Sequence, residues 1–458
     1  MKRIGIFIEH DIMIRHFIKS DVFHYLRGKY EIYYIFPESH KRVQTDISTL
    51  GLDNVYEIDI DLHRAYRMRR FYQLTVMKGI RKRKGSDKEV FQIMYKQMLG
   101  YRSFRPSNYT IDWIKSSWLV YPFVKFFYKF WLGEFKSLRS IIEKLNLDII
   151  VHPTVLEGLF VNDLILLGKK LNIPTIYLMN SWDNPSTKST MLGNPDKLLV
   201  WGEQTKNHAN EFLKCPKDSI VLSGAAQFEI YKKNPKTTRN SYRDSLGLRQ
   251  DEKLVCYAGS SKGLNEMHHL KILDEAIEDS VERVKILYRP HPWKAILEEE
   301  IPFFNNGFKH IVMDPFSKKN YMALLNKEMF QTELMKYDHT NTVIKSIDAM
   351  ISPLSTIILE AAMFGIPISI YLGNEEIDKG SFMNIASQRT QFSEFYDIID
   401  PVICKNKNDL WLTIIQLLFL SNDDEYCSRL KKKTEFFHEP TTKSYGEILH
   451  DTIESIIK

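Results

Sequence analysis

Cysteine is scarce. The chain has four in 458 residues (Cys215, Cys256, Cys404, Cys427), and no two stand in Cys-x-x-Cys spacing. That excludes a zinc ribbon and a disulfide framework, and it fits a reducing compartment. No run of eighteen apolar residues occurs, so no transmembrane helix is expected. Met1-Lys2-Arg3 is followed only by Ile4 to Ile8 before Glu9-His10-Asp11. That stretch is too short for a signal core and reads as a first buried strand. The expected location is therefore cytoplasmic. Internal repeats, low-complexity tracts, a P-loop and recognised nucleic-acid motifs are also lacking. What remains is an ordinary globular composition, 44% hydrophobic and 26% charged, which excludes a disordered or fibrous chain. The length predicts two or three domains.

Charge is unevenly placed. Segment 61–90 holds ten Lys/Arg against Asp61, Asp87 and Glu89, an excess larger than the +6 of the whole chain. The next stretch, 91–135, holds fifteen aromatic residues, among them Trp113, Trp118, Tyr121, Phe123, Phe126, Phe127, Tyr128, Phe130 and Trp131. Lys125 and Lys129 would share one helical face, and Pro122 would kink or start that helix. A basic run followed by an amphipathic aromatic stretch suits contact with an anionic membrane surface. A helical insertion with a filled core and solvated lysines is the plainer alternative. No nucleic-acid partner is expected.

Strand-like and helix-like segments alternate, which predicts α/β architecture with parallel sheets. Strands are expected at Ile4–Ile8, Glu31–Phe36, Asp148–His152, Thr175–Met179, Leu198–Trp201 and Ile220–Leu222. After a polar stretch, Lys232 to Lys253, the pattern restarts at Leu254–Ala258. It continues through Val284–Tyr288, His310–Met313, Ala349–Ser352 and Pro367–Tyr371. The expected organisation is a Rossmann-like domain over 1–231 with a helical insertion at about 61–135. A second such domain covers 232–422, and helices over 423–458 return to the first. Two facing domains of this kind bind ligands at the carboxyl ends of their strands.

Five motifs lie at such ends. Gly259-Ser260-Ser261-Lys262-Gly263 joins a strand to a helix, where backbone amides suit an anion, although a tight turn needs no more. In Tyr288-Arg289-Pro290-His291-Pro292 two prolines fix the backbone. Arg289 offers a permanent forked cation and His291 a further donor, both suited to phosphate. Ser355-Thr356 would open a helix and hold a second phosphate oxygen. Glu360, one turn on, could accept from ribose hydroxyls. Asp183, in Asn180-Ser181-Trp182-Asp183-Asn184, is a base or a capping residue. His10 or Asp11, past the first strand, could take a proton from an attacking hydroxyl, or Asp11 could cap a helix. Asp59-Ile60-Asp61 matches a DxD metal signature, but a three-residue match arises easily and it is set aside.

The segment ISPLSTIILEAAMFGIPI (351–368) resembles the GT-B pattern of a hydroxyl-bearing turn, a helix with a glutamate, then Gly-x-Pro. Together with His291-Pro292, it is similar to bacterial GT-B glycosyltransferases of surface-polysaccharide assembly. The His-Pro and Ser-Thr pair looks like that of transferases using CMP-activated ulosonic acids, and of CDP-glycerol polymerases. UDP-sugar 2-epimerases share the broader pattern. The resemblance covers roughly residues 145–375 and not the insertion. It implies a GT-B fold, a nucleotide-activated sugar bound by the second domain, a glycan or lipid-linked acceptor, and no metal or other cofactor. The acceptor glycan would belong to capsule, lipopolysaccharide or a related polymer. The insertion would hold the enzyme peripherally at the inner face of the plasma membrane. The acidic motif that serves as base in several sialyltransferases is not found. A silent binding module of the same fold is the alternative outside enzymes.

Overall fold

The computed structural model describes residues 1–457 except 39–42, 101–108, 189–190, 260–263, 292–306, 327, 329–334 and 374–388. The chain forms two compact units, Met1–Glu229 with Phe436–Lys458, and Ile230–Glu435.

The first unit is built on seven strands: β1 (Arg3–Phe7), β2 (Glu31–Pro37), β3 (Val55–Ile58), β4 (Ile149–Thr154), β5 (Thr175–Met179), β6 (Lys197–Val200) and β7 (Ile220–Leu222). Their order is β3-β2-β1-β4-β5-β6-β7, and every pairing is parallel. The second unit has six: β8 (Lys253–Ala258), β9 (Val284–Arg289), β10 (Ile311–Met313), β11 (Ala349–Ser352), β12 (Ile368–Tyr371) and β13 (Val402–Cys404). Their order is β10-β9-β8-β11-β12-β13, again all parallel. The expected α/β class is therefore present twice. The central strands β4, β5 and β11 are buried at every residue. Sheets covered by helices on both faces demand such apolar strands. Strands β3 and β13 were not expected. Both lie at sheet edges and are short and half-exposed, so Val55-Tyr56-Glu57-Ile58 carries no strong burial signal.

Local sequence sets the helix starts. Asp61 accepts from the Arg64 amide at 2.9 Å and opens the helix Leu62–Lys82, so the DxD-like aspartate is a cap. Asn265 caps Glu266–Glu278, and Asp314 caps Pro315–Leu325 with proline in the first turn. Ser444 and Glu447 form a capping box that opens Tyr445–Glu454. That last helix buries Tyr445, Leu449 and Ile453 in the first unit's core with Ile4, Ile6 and Phe17. The return to the first unit begins at Phe436, whereas the helix Asp424–Lys433 belongs to the second. The expected terminal segment, 423–458, is thus shared between the units.

The insertion is helical where it is described: Leu62–Lys82, Gly85–Gly100, Tyr109–Lys115 and Tyr121–Leu132, with Pro122 in the opening turn of the last. Four of its described arginines are spent inside the protein. Arg64 pairs with Asp163, both buried, and donates to the carbonyls of Leu132 and Gly133. Arg70 reaches Gln73 and Asp112. Arg81 donates to the Trp113 carbonyl at 3.0 Å and covers that ring. Arg83 donates to Ser186 O at 2.7 Å and lies over Phe91. The aromatics divide too. Phe71, Tyr72, Phe91, Tyr95 and Tyr121 are buried. Trp118, Phe123, Phe126, Phe127, Phe130 and Trp131 are exposed, Trp118 at 79%. Each exposed ring forgoes roughly 1.5–3 kcal/mol of burial.

Candidate functional site

In the second sheet, β8 is central, and the chain crosses first to β9 and later to β11 on its other side. That is a topological switch point, where a crevice opens at the carboxyl ends. Register brings the motifs to it. Ala258 pairs with Arg289, and Ile351 pairs with Tyr257, so Ser352 reaches the level of both. Residues level in parallel strands share a face, so Arg289 and Ser352 point to the same side. Gly259 follows Ala258 and donates its amide to Arg289 O at 2.8 Å.

Arg289 is half-buried. One guanidinium nitrogen, Nη2, donates to Thr340 Oγ1 at 3.3 Å. The other, Nη1, is buried with no partner among the described residues. Ser352 Oγ is likewise buried and unpartnered among them. Ser355 precedes the helix Thr356–Ala362 in extended backbone (φ −152°, ψ 152°), and its side chain makes no capping bond. Buried donors without acceptors are costly in a folded protein. Donors of this kind at a sheet's switch point are suited to an anion.

Glu360 lies on the same helix. It accepts from the Tyr231 hydroxyl, and both side chains are buried. Burial, and then the Glu360 charge, hold the Tyr231 phenol far above its usual range. The first partner of this carboxylate is therefore the protein. Gly365 follows with φ +72° and ends the helical segment, as its position before Ile366-Pro367 suggests.

His291 stands beyond Pro290, partly buried. Burial pushes its imidazolium pKa down, Arg289 adds to that, and Glu266 opposes it. A neutral imidazole donates from one nitrogen only. Ser260, Ser261 and Lys262 lie outside the described residues. Gly259 has a reason of its own to be glycine: a Cβ there would stand 2.5 Å from Glu266 Oε2. Glu266 is buried and takes the Tyr288 hydroxyl at 2.7 Å.

Sequence reasoning missed two groups at this edge. Glu266 is one. The other is Asp314, which follows β10 and donates its amide to Tyr288 O at 2.9 Å. Its Oδ2 meets His339 Nε2 at 2.7 Å and Tyr242 OH at 2.9 Å. Burial alone would raise the Asp314 carboxyl. The His339 bond and charge, the Ser317 amide and Arg289 outweigh it, and the pKa lies below the ordinary value. His339 adjoins Thr340, the residue Arg289 grips. The only sequence signal was Asp314-Pro315, which reads simply as a helix start.

The three first-unit candidates are each held by neighbours. His10, not Asp11, caps the first helical turn, its Nδ1 accepting from the Ile12 amide at 3.1 Å. Asp11 accepts from Gln44 N (2.9 Å), Thr45 N (3.0 Å) and Thr45 Oγ1 (2.7 Å), which anchor a crossing segment. Asp183 accepts from Ser181 Oγ at 2.6 Å and precedes the turn Asn184–Thr187. Behind them Glu9 is wholly buried and accepts from the Leu159 and Phe160 amides, with His152 Nε2 at 3.4 Å. His16, in the turn after His10, is buried, and its pKa is pushed down to about 3 by burial first and then by Arg15.

No protein-family model and no curated protein sequence matches the chain. Solved structures do match its fold. A structure described as a UDP-N-acetylglucosamine 2-epimerase from Listeria monocytogenes aligns with a TM-score of 0.54 at 13% identity, over 99% of this chain and 96% of that one. The UDP-GlcNAc 2-epimerase of Neisseria meningitidis, bound to UDP-GlcNAc, aligns at 0.52 and 11% identity, over 99% and 100%. CalG4, the calicheamicin glycosyltransferase, aligns at 0.50 and 8% identity, over 99% and 98%. The fold is of GT-B type. Identities this low speak for architecture and not for activity.

Proposed function

We propose that the chain is a glycosyltransferase whose second unit binds a nucleotide-activated sugar by its phosphates. The observation that carries this reading is Arg289 Nη1, buried at the switch point without a partner among the described residues, with Ser352 on the same sheet face. Arg289 and His291 would take the phosphate, Ser355 and Thr356 would complete its site, and Glu360 would bind the ribose. An acceptor hydroxyl attacks the anomeric carbon and forms the new C–O bond. The bond from that carbon to the nucleotide phosphate breaks, and the phosphate leaves with the electron pair. The fixed cation and donors stabilise that charge, so no metal is required. The acceptor's proton passes to a general base, for which the sequence offers His10, Asp11 and Asp183, each of which already holds neighbouring chain. A saccharide or lipid-linked acceptor in surface-polysaccharide synthesis, met at the inner membrane face, fits the basic aromatic insertion.

The second reading is a UDP-sugar 2-epimerase, and the fold neighbours so named support it. The Neisseria meningitidis structure holds UDP-GlcNAc. Thermal-shift titration with CMP, CDP, UDP and GDP tests the common core of both readings. A ligand at a hundred times its Kd adds about 2.7 kcal/mol of stability. Stabilisation by at least one nucleotide, lost in Arg289→Ala, is expected. Unchanged binding in that variant removes the assignment. Incubating a UDP-sugar without acceptor then separates the readings, since only an epimerase changes the configuration at C2.

A further inference from the structure

The helix Tyr121–Leu132 has an apolar face that the protein leaves uncovered. Phe123, Phe126, Phe127, Phe130 and Trp131 are each more than half exposed, as is Trp118 in the preceding turn. Between Trp113 and Gly133 there are three lysines, Lys115, Lys125 and Lys129, and no acidic residue. Lys78, from the neighbouring helix, sits 3.8 Å over the Tyr121 ring. The charges that act on it are those of Lys82, Lys125 and Lys214, and Lys129 and Lys169 act on Lys125 against a smaller opposing effect of Cys215. Burial, reinforced by these like charges, brings the Lys78 ammonium down to about 8 and lowers Lys125 as well. No carboxylate among the described residues pairs with Lys78, Lys125 or Lys129. The patch therefore lacks both an apolar cover and an anion.

We propose that this helix and the turn at Trp118 dock on an anionic phospholipid bilayer, with the aromatic rings among the upper acyl chains and the lysines at headgroup phosphates. A twelve-residue helix is about 18 Å long, too short to span a hydrocarbon core of about 30 Å. It suits a helix lying in the interface, where tryptophan and phenylalanine with basic neighbours are at home. A second copy of the chain fits the face less well. An isologous contact would bring two lysine clusters together without a carboxylate between them. A nucleic acid fits less well because Arg64, Arg70, Arg81 and Arg83 are turned to acceptors within the protein. The inference deepens the membrane part of the proposal above and rests on none of its nucleotide chemistry.

The test is co-sedimentation of the full chain with vesicles of phosphatidylcholine alone or mixed equally with phosphatidylglycerol. Binding to the anionic vesicles, weakened by salt, is expected. Phe126→Ser with Phe127→Ser and Phe130→Ser should lower the partition at least about tenfold. Lys125→Glu with Lys129→Glu should lower it by a similar factor on anionic vesicles only. All five positions are at or near the surface, so melting temperature and nucleotide-induced thermal shift should not move. Equal partition of parent and serine variant overturns the proposal. So does a parent dimer, by sedimentation velocity, that the serine variant disperses while vesicle binding is absent.

Discussion

The carboxyl edges of the two sheets make an instructive pair. Both lie at a switch point in an all-parallel sheet, and both carry acidic, basic and imidazole side chains. At the first, Asp11 is saturated by Gln44 and Thr45, His10 caps a turn, and Glu9 ties down the amides of Leu159 and Phe160. At the second, Arg289 Nη1 and Ser352 Oγ are buried without partners among the described residues. Both edges leave buried polar atoms without partners among the described residues, Asn180 Oδ1 and Asn184 Oδ1 at the first and Arg289 Nη1 and Ser352 Oγ at the second. The first pair are amide acceptors, whereas the second joins a permanent cation to a hydroxyl and so suits an anion. Leaving such groups bare is costly unless a ligand repays it. Motif content does not separate the edges; the kind of group left unmatched does.

Substitutions put the difference between the edges to the test. The largest effect is expected away from both edges, at the buried pair that ties the insertion to the first unit. Arg64→Ala leaves Asp163 buried and unpaired, with loss of about 3–5 kcal/mol in denaturant unfolding and unchanged nucleotide affinity in whatever folded protein remains. Next comes Arg289→Ala. It should lower turnover by about 10²–10³ while the melting temperature stays or rises, because the guanidinium is only partly satisfied without ligand. A large drop in stability would instead show Arg289 to be structural.

A pH titration separates the edges further. His16 at the first edge is buried with its pKa lowered from 6.5 to about 3. The unfolded chain binds that proton more readily, so the contribution is fully present above about pH 6.5 and is lost as pH falls toward 3. A loss of a few kcal/mol over that window is expected, and His16→Phe should flatten it. The smallest effect belongs to Ser355→Ala. It should weaken nucleotide binding by about threefold to tenfold in titration calorimetry, the size of one hydrogen bond, and leave stability unchanged because the hydroxyl caps nothing.

Much of the fold was legible because buried parallel strands announce themselves. Leu254–Ala258 and Ile176–Met179 are apolar throughout and bounded by turn residues, and the structure has strands there. Strands β3 and β13 were not, since edge strands bury too little to force a pattern. The three second-half motifs were legible as strand ends, and register sets the ends of those strands side by side. Glu266 and the Asp314–His339 pair were illegible for a different reason. Their partners lie 22 to 25 residues away, a separation that no local periodicity encodes. The basic run misled in part. Its arginines looked like a cationic surface, but long-range acceptors such as Asp163 and Ser186 draw several inward, and the exposed charge of the patch is left to lysine.

The most direct test of the central claim is a crystal structure with a nucleoside diphosphate at saturating concentration. A phosphate oxygen is expected about 3 Å from Arg289 Nη1, with a second oxygen at Ser355 or Thr356. A nucleotide bound elsewhere, with Arg289 Nη1 still buried and bare, would contradict it.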